Sequence, residues 1–143
     1  MRSTLLVTML LGISVLMAPF HALAQARATP EQLAQVSLGK WLQELDSGKY
    51  ADSWMDAAQY FRSHVSKDRW VSGMKATHVP LGKMVSRKVV SSKFTKSIAG
   101  APDGQYVVTK YNTDFEHKKG AVETVTAVFE MDGEWRVAAY YIQ

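Results

Sequence analysis

The sequence predicts an α+β fold, three N-terminal helices packed on a curved four-stranded antiparallel sheet, and three observations carry that expectation. Apolar residues between Ala34 and Met74 recur at helical spacing, and from Lys83 onward the pattern changes to that of strands. The last stretch, Ala121 to Gln143, places Asp132-Gly133 between two runs of β-branched and aromatic residues, a strong hairpin signal. A helical half followed by an antiparallel meander makes a two-layer domain.

The chain opens on a segment that the fold does not use. Arg2 precedes an apolar run from Leu5 to Met17, followed by Ala22-Leu23-Ala24 and Ala24-Gln25-Ala26. This is the pattern of a secretory signal peptide over residues 1–26, with cleavage expected after Ala24 or Ala26. The run is shorter than the roughly 20 residues of a spanning helix, and no second apolar segment follows. The expectation is therefore a periplasmic or secreted chain with no stable membrane insertion after cleavage, folded as one domain over residues 27–143. The absence of cysteine excludes disulfides, thiolate metal sites, a cysteine nucleophile and the lipid-bearing cysteine of a lipoprotein. Four Trp, six Tyr and five Phe supply enough apolar area for a core without such staples. The net charge of +4 is spread along the chain, with a cluster only at Arg87-Lys88 and nearby Lys83, Lys93 and Lys96. A nucleic-acid reader would show a denser basic stripe, so no nucleic-acid partner is expected.

Thr29-Pro30-Glu31-Gln32 reads as a helix start, with Thr29 as N-cap, Pro30 at the first position and Gln32 placed for a capping box. Ala34, Leu38, Trp41, Leu42 and Leu45 then form one apolar stripe, so helix 1 is expected from Pro30 to Asp46, stopped by Gly48. Tyr50, Trp54, Ala57, Ala58, Phe61 and Val65 keep the period and predict one second helix. Ser66 caps a third, carrying Trp70, Met74 and Thr77 and ending before Pro80 and Gly82. Strands are expected over Met84–Phe94 and Gln105–Phe115, separated by a loop at Ser97–Gly104, and then in the closing hairpin after a turn at His117–Gly120.

Directly paired residues of an antiparallel ladder share a face, so turn lengths assign the faces. A two-residue Asp132-Gly133 turn pairs Val128 with Val137, Thr126 with Ala139 and Thr124 with Tyr141. A four-residue turn at His117–Gly120 pairs Phe115 with Val122 and Tyr111 with Thr126. One face then holds Val107, Thr109, Tyr111, Thr113, Phe115, Val122, Thr124, Thr126, Val128, Trp135, Val137, Ala139 and Tyr141, with only Glu130 charged at its edge. The other carries Tyr106, Lys110, Asp114, Glu123, Phe129, Arg136 and Tyr140. The first is the expected helix-packing face; its Thr and Tyr hydroxyls fit a partly wet cavity, or equally the strand preference of threonine.

Three helices covered by a four-stranded meander resemble the cone-shaped NTF2-like fold. At the level of motifs, Lys40-Trp41-Leu42, Asp46-Ser47-Gly48-Lys49-Tyr50 and Ser53-Trp54 resemble a bacterial family of short secreted proteins with a domain of unknown function, of the DUF4019 type. Pro80-Leu81-Gly82 with Ser86-Arg87, Pro102 to Tyr106, Glu123-Thr124-Val125 and Asp132 to Val137 with Tyr140-Tyr141 match the rest of its pattern. The resemblance implies a fold and a location and brings no catalytic residues. Ala138-Ala139 stands where such proteins often have Ala-Gly, a substitution that alters a strand bend.

Some NTF2-like proteins place an Asp or His in the cone among Tyr donors. The helix-facing surface derived above offers Tyr111 and Tyr141 but neither of those bases, so a base would come from a helix, as Asp46, Asp56 or His64; the preferred reading of these three is solvated helix-face residues. His64, His78 and His117 lack metal-ligand spacing, so neither a metal nor a cofactor is expected. Arg87 alternates with Val85 and Val89 and could meet an anionic ligand at the cavity mouth, or simply discourage edge pairing. The expected pocket is lined by Trp54, Phe61, Arg87, Tyr111, Thr126, Trp135 and Tyr141. The functional expectation is a non-catalytic envelope module that binds a small apolar or anionic ligand in the cone or a partner on the sheet. The alternative is a small hydrolase or isomerase with a Tyr donor in the cone, and a homodimer through the sheet face fits either.

Overall fold

A computed structural model describes residues 27–143; the segment read as a signal peptide lies outside the described residues. Helix α1 (Pro30–Asp46) starts on the expected capping box: the Gln32 N–H donates to Thr29 Oγ1 at 3.3 Å, and the Thr29 N–H donates to Gln32 Oε1 at 2.9 Å. Its stripe Ala34, Leu38, Trp41, Leu42 and Leu45 is buried.

The expected second helix is two, α2 (Tyr50–Met55) and α3 (Gln59–His64), and α4 follows at Lys67–Leu81. The break at Asp56–Ala58 has a backbone cause. Ala57 and Ala58 are fully buried, and the Ala58 N–H donates to the Val137 carbonyl at 2.8 Å, so the chain leaves the helix to cap a sheet edge. Apolar period alone does not reveal this, because both short helices bury the same face. Pro80 lies inside the last turn of α4.

Four strands, β1 (Met84–Thr95), β2 (Tyr106–Phe115), β3 (Lys118–Phe129) and β4 (Trp135–Ile142), form an open antiparallel sheet in the order β1-β2-β3-β4. The β2 face is as expected, with Val107, Thr109, Tyr111, Thr113 and Phe115 buried. The β3 face is reversed. Phe115 pairs with Lys118 across a two-residue Glu116-His117 turn, and Gly120, at φ 65, takes up an extra residue while its N–H donates to Asp114 Oδ1 at 2.8 Å. Tyr111 therefore pairs with Glu123 instead of Thr126, an odd shift that exchanges the two faces of β3. Ala121, Glu123, Val125 and Ala127 point to the helices, and Val122, Thr124, Thr126 and Val128 point away.

On β4 the pairs Thr126–Ala139 and Thr124–Tyr141 form as expected, while Ala127 pairs with Val137 and leaves Ala138 as a bulge. The bulge lies at the site of the expected strand bend. Trp135 and Val137 face inward before it; after it Tyr140 turns in and Tyr141 turns out, 61% exposed. The closing turn also differs, since only Gly133 has positive φ. It is a three-residue Met131-Asp132-Gly133 loop, with the Glu130 N–H donating to the Glu134 carbonyl at 2.9 Å.

Aromatic rings fill the space between helices and sheet. Trp70 packs edge-on to Phe61 at 4.9 Å, Trp41 lies 5.8 Å from Trp70 and 5.5 Å from Tyr140, and the Trp41 and Trp70 indole N–H groups donate to the Ser53 carbonyl and hydroxyl.

Candidate functional site

Within the layer between sheet and helices, the reversed face of β3 brings Glu123 to Arg87 of β1. Arg87 forms a two-pronged pair with Asp46 at the end of α1, Nη1 to Oδ2 at 2.7 Å and Nη2 to Oδ1 at 2.9 Å. Its Nε and Nη2 donate to the two oxygens of Glu123 at 2.6 and 3.1 Å. Glu123 is fully buried and also accepts from Thr113 Oγ1 at 2.5 Å and Tyr140 Oη at 2.7 Å, while Tyr140 Oη lies 3.1 Å from His78 Nε2. Burial opposes the charge on Glu123, but the Arg87 guanidinium outweighs it and holds the carboxyl below its ordinary range. Burial likewise opposes the Arg87 charge, and its two carboxylate partners raise its pKa regardless. His78 is depressed by burial, and Tyr140 is raised by burial and by Glu123. Each acidic or basic group here is committed to a partner, which suits a structural charge cluster more than a reaction centre.

Open space lies elsewhere. A cleft of about 760 Å³ runs between α1, the α2–α3 junction and the β3–β4 hairpin. Ser37, Lys40, Trp41 and Glu44 line it from α1; Met55, Asp56, Gln59 and Arg62 from the short helices and their junction; Glu130, Asp132 and Glu134–Val137 from the hairpin. The hairpin is pinned, because Glu130 accepts from the Gln59 N–H at 2.7 Å and pairs with Arg136 at 2.6 Å, which also reaches Asp132 at 2.8 Å. Lys40 has no ion pair among the described residues, and Arg62 donates to the Met55 carbonyl. Glu44 is the one carboxyl of this cleft whose pKa is raised. Burial and then the neighbouring Asp56 and Asp52 push its carboxyl up to about 7, with Lys49 opposing. Its Oε2 is buried without a hydrogen-bond partner, as expected of a carboxylate beside a carboxylate until a proton is shared.

Residues 38–140 match the family model described as "Protein of unknown function (DUF4019)". The chain belongs to this DUF4019 family. No curated protein and no solved structure matches it. The matched span of this DUF4019 chain contains the whole Asp46–Arg87–Glu123 cluster and, apart from Ser37, every residue lining the cleft.

The seven residues expected to line one pocket are dispersed in this DUF4019 domain. Phe61 and Tyr111 are buried in the core; Trp54 packs against it and donates from Nε1 to the Val65 carbonyl at 2.7 Å. Tyr111 donates to Gln35 Oε1 at 2.8 Å, and burial pushes its pKa up to about 12. Arg87 is held in the charge cluster, Thr126 and Tyr141 lie on the outer sheet face, and only Trp135 reaches the cleft. Among the helix-borne bases, Asp46 binds Arg87, Asp56 flanks Glu44, and His64 is exposed with Nδ1 at 2.7 Å from the Tyr60 carbonyl. Tyr106 is buried, its hydroxyl donating to the Pro102 carbonyl at 2.6 Å, instead of standing on an open dimer face. Sequence reasoning missed Glu123, Tyr140, Lys40 and Glu44. The first pair follows from the register, and Lys40 and Glu44 read in sequence as an ordinary solvated i,i+4 pair. Among the described residues no group of three or more His, Asp or Glu is placed to hold a metal, and no helix is long and apolar enough to cross a membrane.

Proposed function

We propose that this DUF4019 chain is a non-catalytic binding module of the bacterial cell envelope, exported by the signal peptide read in residues 1–26, and that its ligand site is the cleft between α1, the α2–α3 junction and the β3–β4 hairpin. The observation that carries the reading is the cleft itself: about 760 Å³ of open space, walled by Trp41 and Trp135, with Lys40 in its lining and making no ion pair among the described residues, while the ionisable groups of the interior are committed to one another. The indoles suit the apolar body of a small molecule and Lys40 an anionic group on it, which must lie clear of the lining carboxyls Glu44, Asp56, Glu130, Asp132 and Glu134. The layer order, helices on one face of a four-stranded meander, supports an NTF2-like relationship, with the interior of the cone filled by aromatic rings and the charge cluster.

A second reading rests on Glu44. A carboxyl with a pKa near 7 in an open cleft suits a general acid or base, so a small hydrolase or isomerase would act there instead of in the cone, without a Tyr donor. Native mass spectrometry of protein purified from its own envelope fraction tests the first reading, since a co-purifying anionic small molecule is expected and Lys40→Glu should abolish it. Repeated recovery of empty protein, or a ligand whose retention ignores Lys40, would sink it. N-terminal sequencing of the same material should begin at Gln25 or Arg27.

A further inference from the structure

The basic cluster around Arg87-Lys88 divides in the fold. Arg87 turns inward to its carboxylates, and the lysines stay outside. From Arg69 to Pro102 the chain holds seven Lys and Arg and no Asp or Glu. Lys83, Lys88, Lys93 and Lys96 of this run are exposed and make no ion pair among the described residues. Lys88 and Lys93 are five positions apart and would fall on opposite faces of a regular strand. The bulge between Val89 and Ser91 corrects this, setting Lys88 opposite Asn112 and Lys93 opposite Val108, both on the outer face of β2. Lys110, exposed and opposite Ser91, lies between them. Three lysines therefore share one strip of the outer face beside β1.

β1 is also the open edge of the sheet. β4, at the other end, is capped at Val137 by the Ala58 N–H; β1 has no strand on its far side among the described residues, and only its Phe94 N–H is taken, by Glu31 Oε1 at 3.2 Å, so the free stretch runs over Met84–Lys93. Val85, Val89 and Val90 are 59, 53 and 66% exposed along it. Edge lysines and bulges discourage indiscriminate strand pairing. They do so against neutral and basic strands, and a second β1 would set lysine against lysine. An acidic strand meets attraction instead.

We propose that the β1 edge, with Lys88, Lys93 and Lys110 beside it, docks an extended acidic segment of a partner protein, which joins the sheet as a fifth strand. The backbone edge supplies main-chain hydrogen bonds, the lysines select carboxylates on one side of the incoming strand, and the valines take its apolar side chains on the other. Anionic lipid shares the charge but cannot pair with a strand edge. This surface is separate from the cleft.

A short peptide of alternating Glu and Val tests the proposal against the 15N-labelled protein. Binding is expected to slow amide exchange about tenfold within Val85–Lys93, as strand addition requires. Lys88→Glu with Lys93→Glu should weaken binding about tenfold, while Lys40→Glu in the cleft leaves it unchanged. A matched Lys-Val peptide should not bind. Absence of binding, binding without amide protection, equal binding by the lysine-reversed protein, or preferential binding to phosphatidylglycerol vesicles would each overturn it. So would self-association of the protein that the peptide displaces, which would assign the acidic segment to a second copy.

Discussion

Replacing Arg87 with Met tests whether the interior charges hold the fold. The guanidinium side chain is 11% exposed and gives hydrogen bonds of 2.6 to 3.1 Å to Glu123 and Asp46. Without it Glu123, at 0% exposure, keeps only the Thr113 and Tyr140 donors for a full negative charge. Removing one member of a buried ion pair costs about 3–5 kcal/mol. In a domain with a total stability of about 5–15 kcal/mol, that lowers the melting temperature by roughly 10–20 °C. Urea denaturation followed by circular dichroism reads the loss as a lower midpoint at unchanged slope. Arg87→Met with Glu123→Leu should recover at least half of it, because the stranded charge goes with its partner. Glu123 has a depressed pKa when folded, so its contribution is present above the unfolded value near 4.5 and lost as pH falls through the folded one. The double variant should therefore lose less stability in acid than the parent. A cost below about 1 kcal/mol for Arg87→Met, or a double variant as weak as the sum of its singles, refutes the reasoning.

Two other perturbations probe the cleft and the register. Glu44 has a folded pKa near 7 against an ordinary 4.5, so the folded state holds the extra proton between those values and stability falls as pH rises through that window. Glu44→Gln should therefore stabilise the domain at pH 8 by about 1 kcal/mol, after allowance for its partial exposure, and have little effect at pH 4; equal effects at both would contradict the assignment. Tyr140→Phe removes the hydroxyl between Glu123 and His78 and should cost about 1–3 kcal/mol in denaturant, whereas Tyr141→Phe, on the open face, should stay within about 0.5 kcal/mol. The opposite order would restore the register without a bulge at Ala138.

Much of the fold was legible where one local rule decided it. Thr29, Pro30 and Gln32 mark the α1 start by hydrogen-bond chemistry, and its five-residue stripe is the buried face. The register of β3 was not, because it depends on how many residues a turn consumes. Gly120 read as the end of a loop and is a bulge inside a strand. The Asp46–Arg87–Glu123 cluster escaped for a related reason. Assigning faces by minimising buried charge puts Glu123 outside, and that rule fails when the cation that neutralises it lies on a strand two positions away in the sheet. Arg87, alternating with valines on β1 and lacking a local partner, was the available signal.

The filled layer between sheet and helices changes where ligand chemistry has to be sought. The sequence leads one to expect a pocket under the sheet, yet the odd register places a carboxylate there and the fold answers it with an arginine and two hydroxyls. Any charge left to act on a ligand is then on the outside, and it is segregated. Lys83, Lys88, Lys93 and Lys96 lie on or beside β1, whereas Glu130, Asp132 and Glu134 lie on the β3–β4 hairpin at the other end of the sheet. Screening limits each surface to partners within about 10 Å at moderate salt, so the two ends act independently. Raising the salt should weaken peptide docking at β1 without emptying the cleft, where the indole walls contribute contacts that salt does not screen.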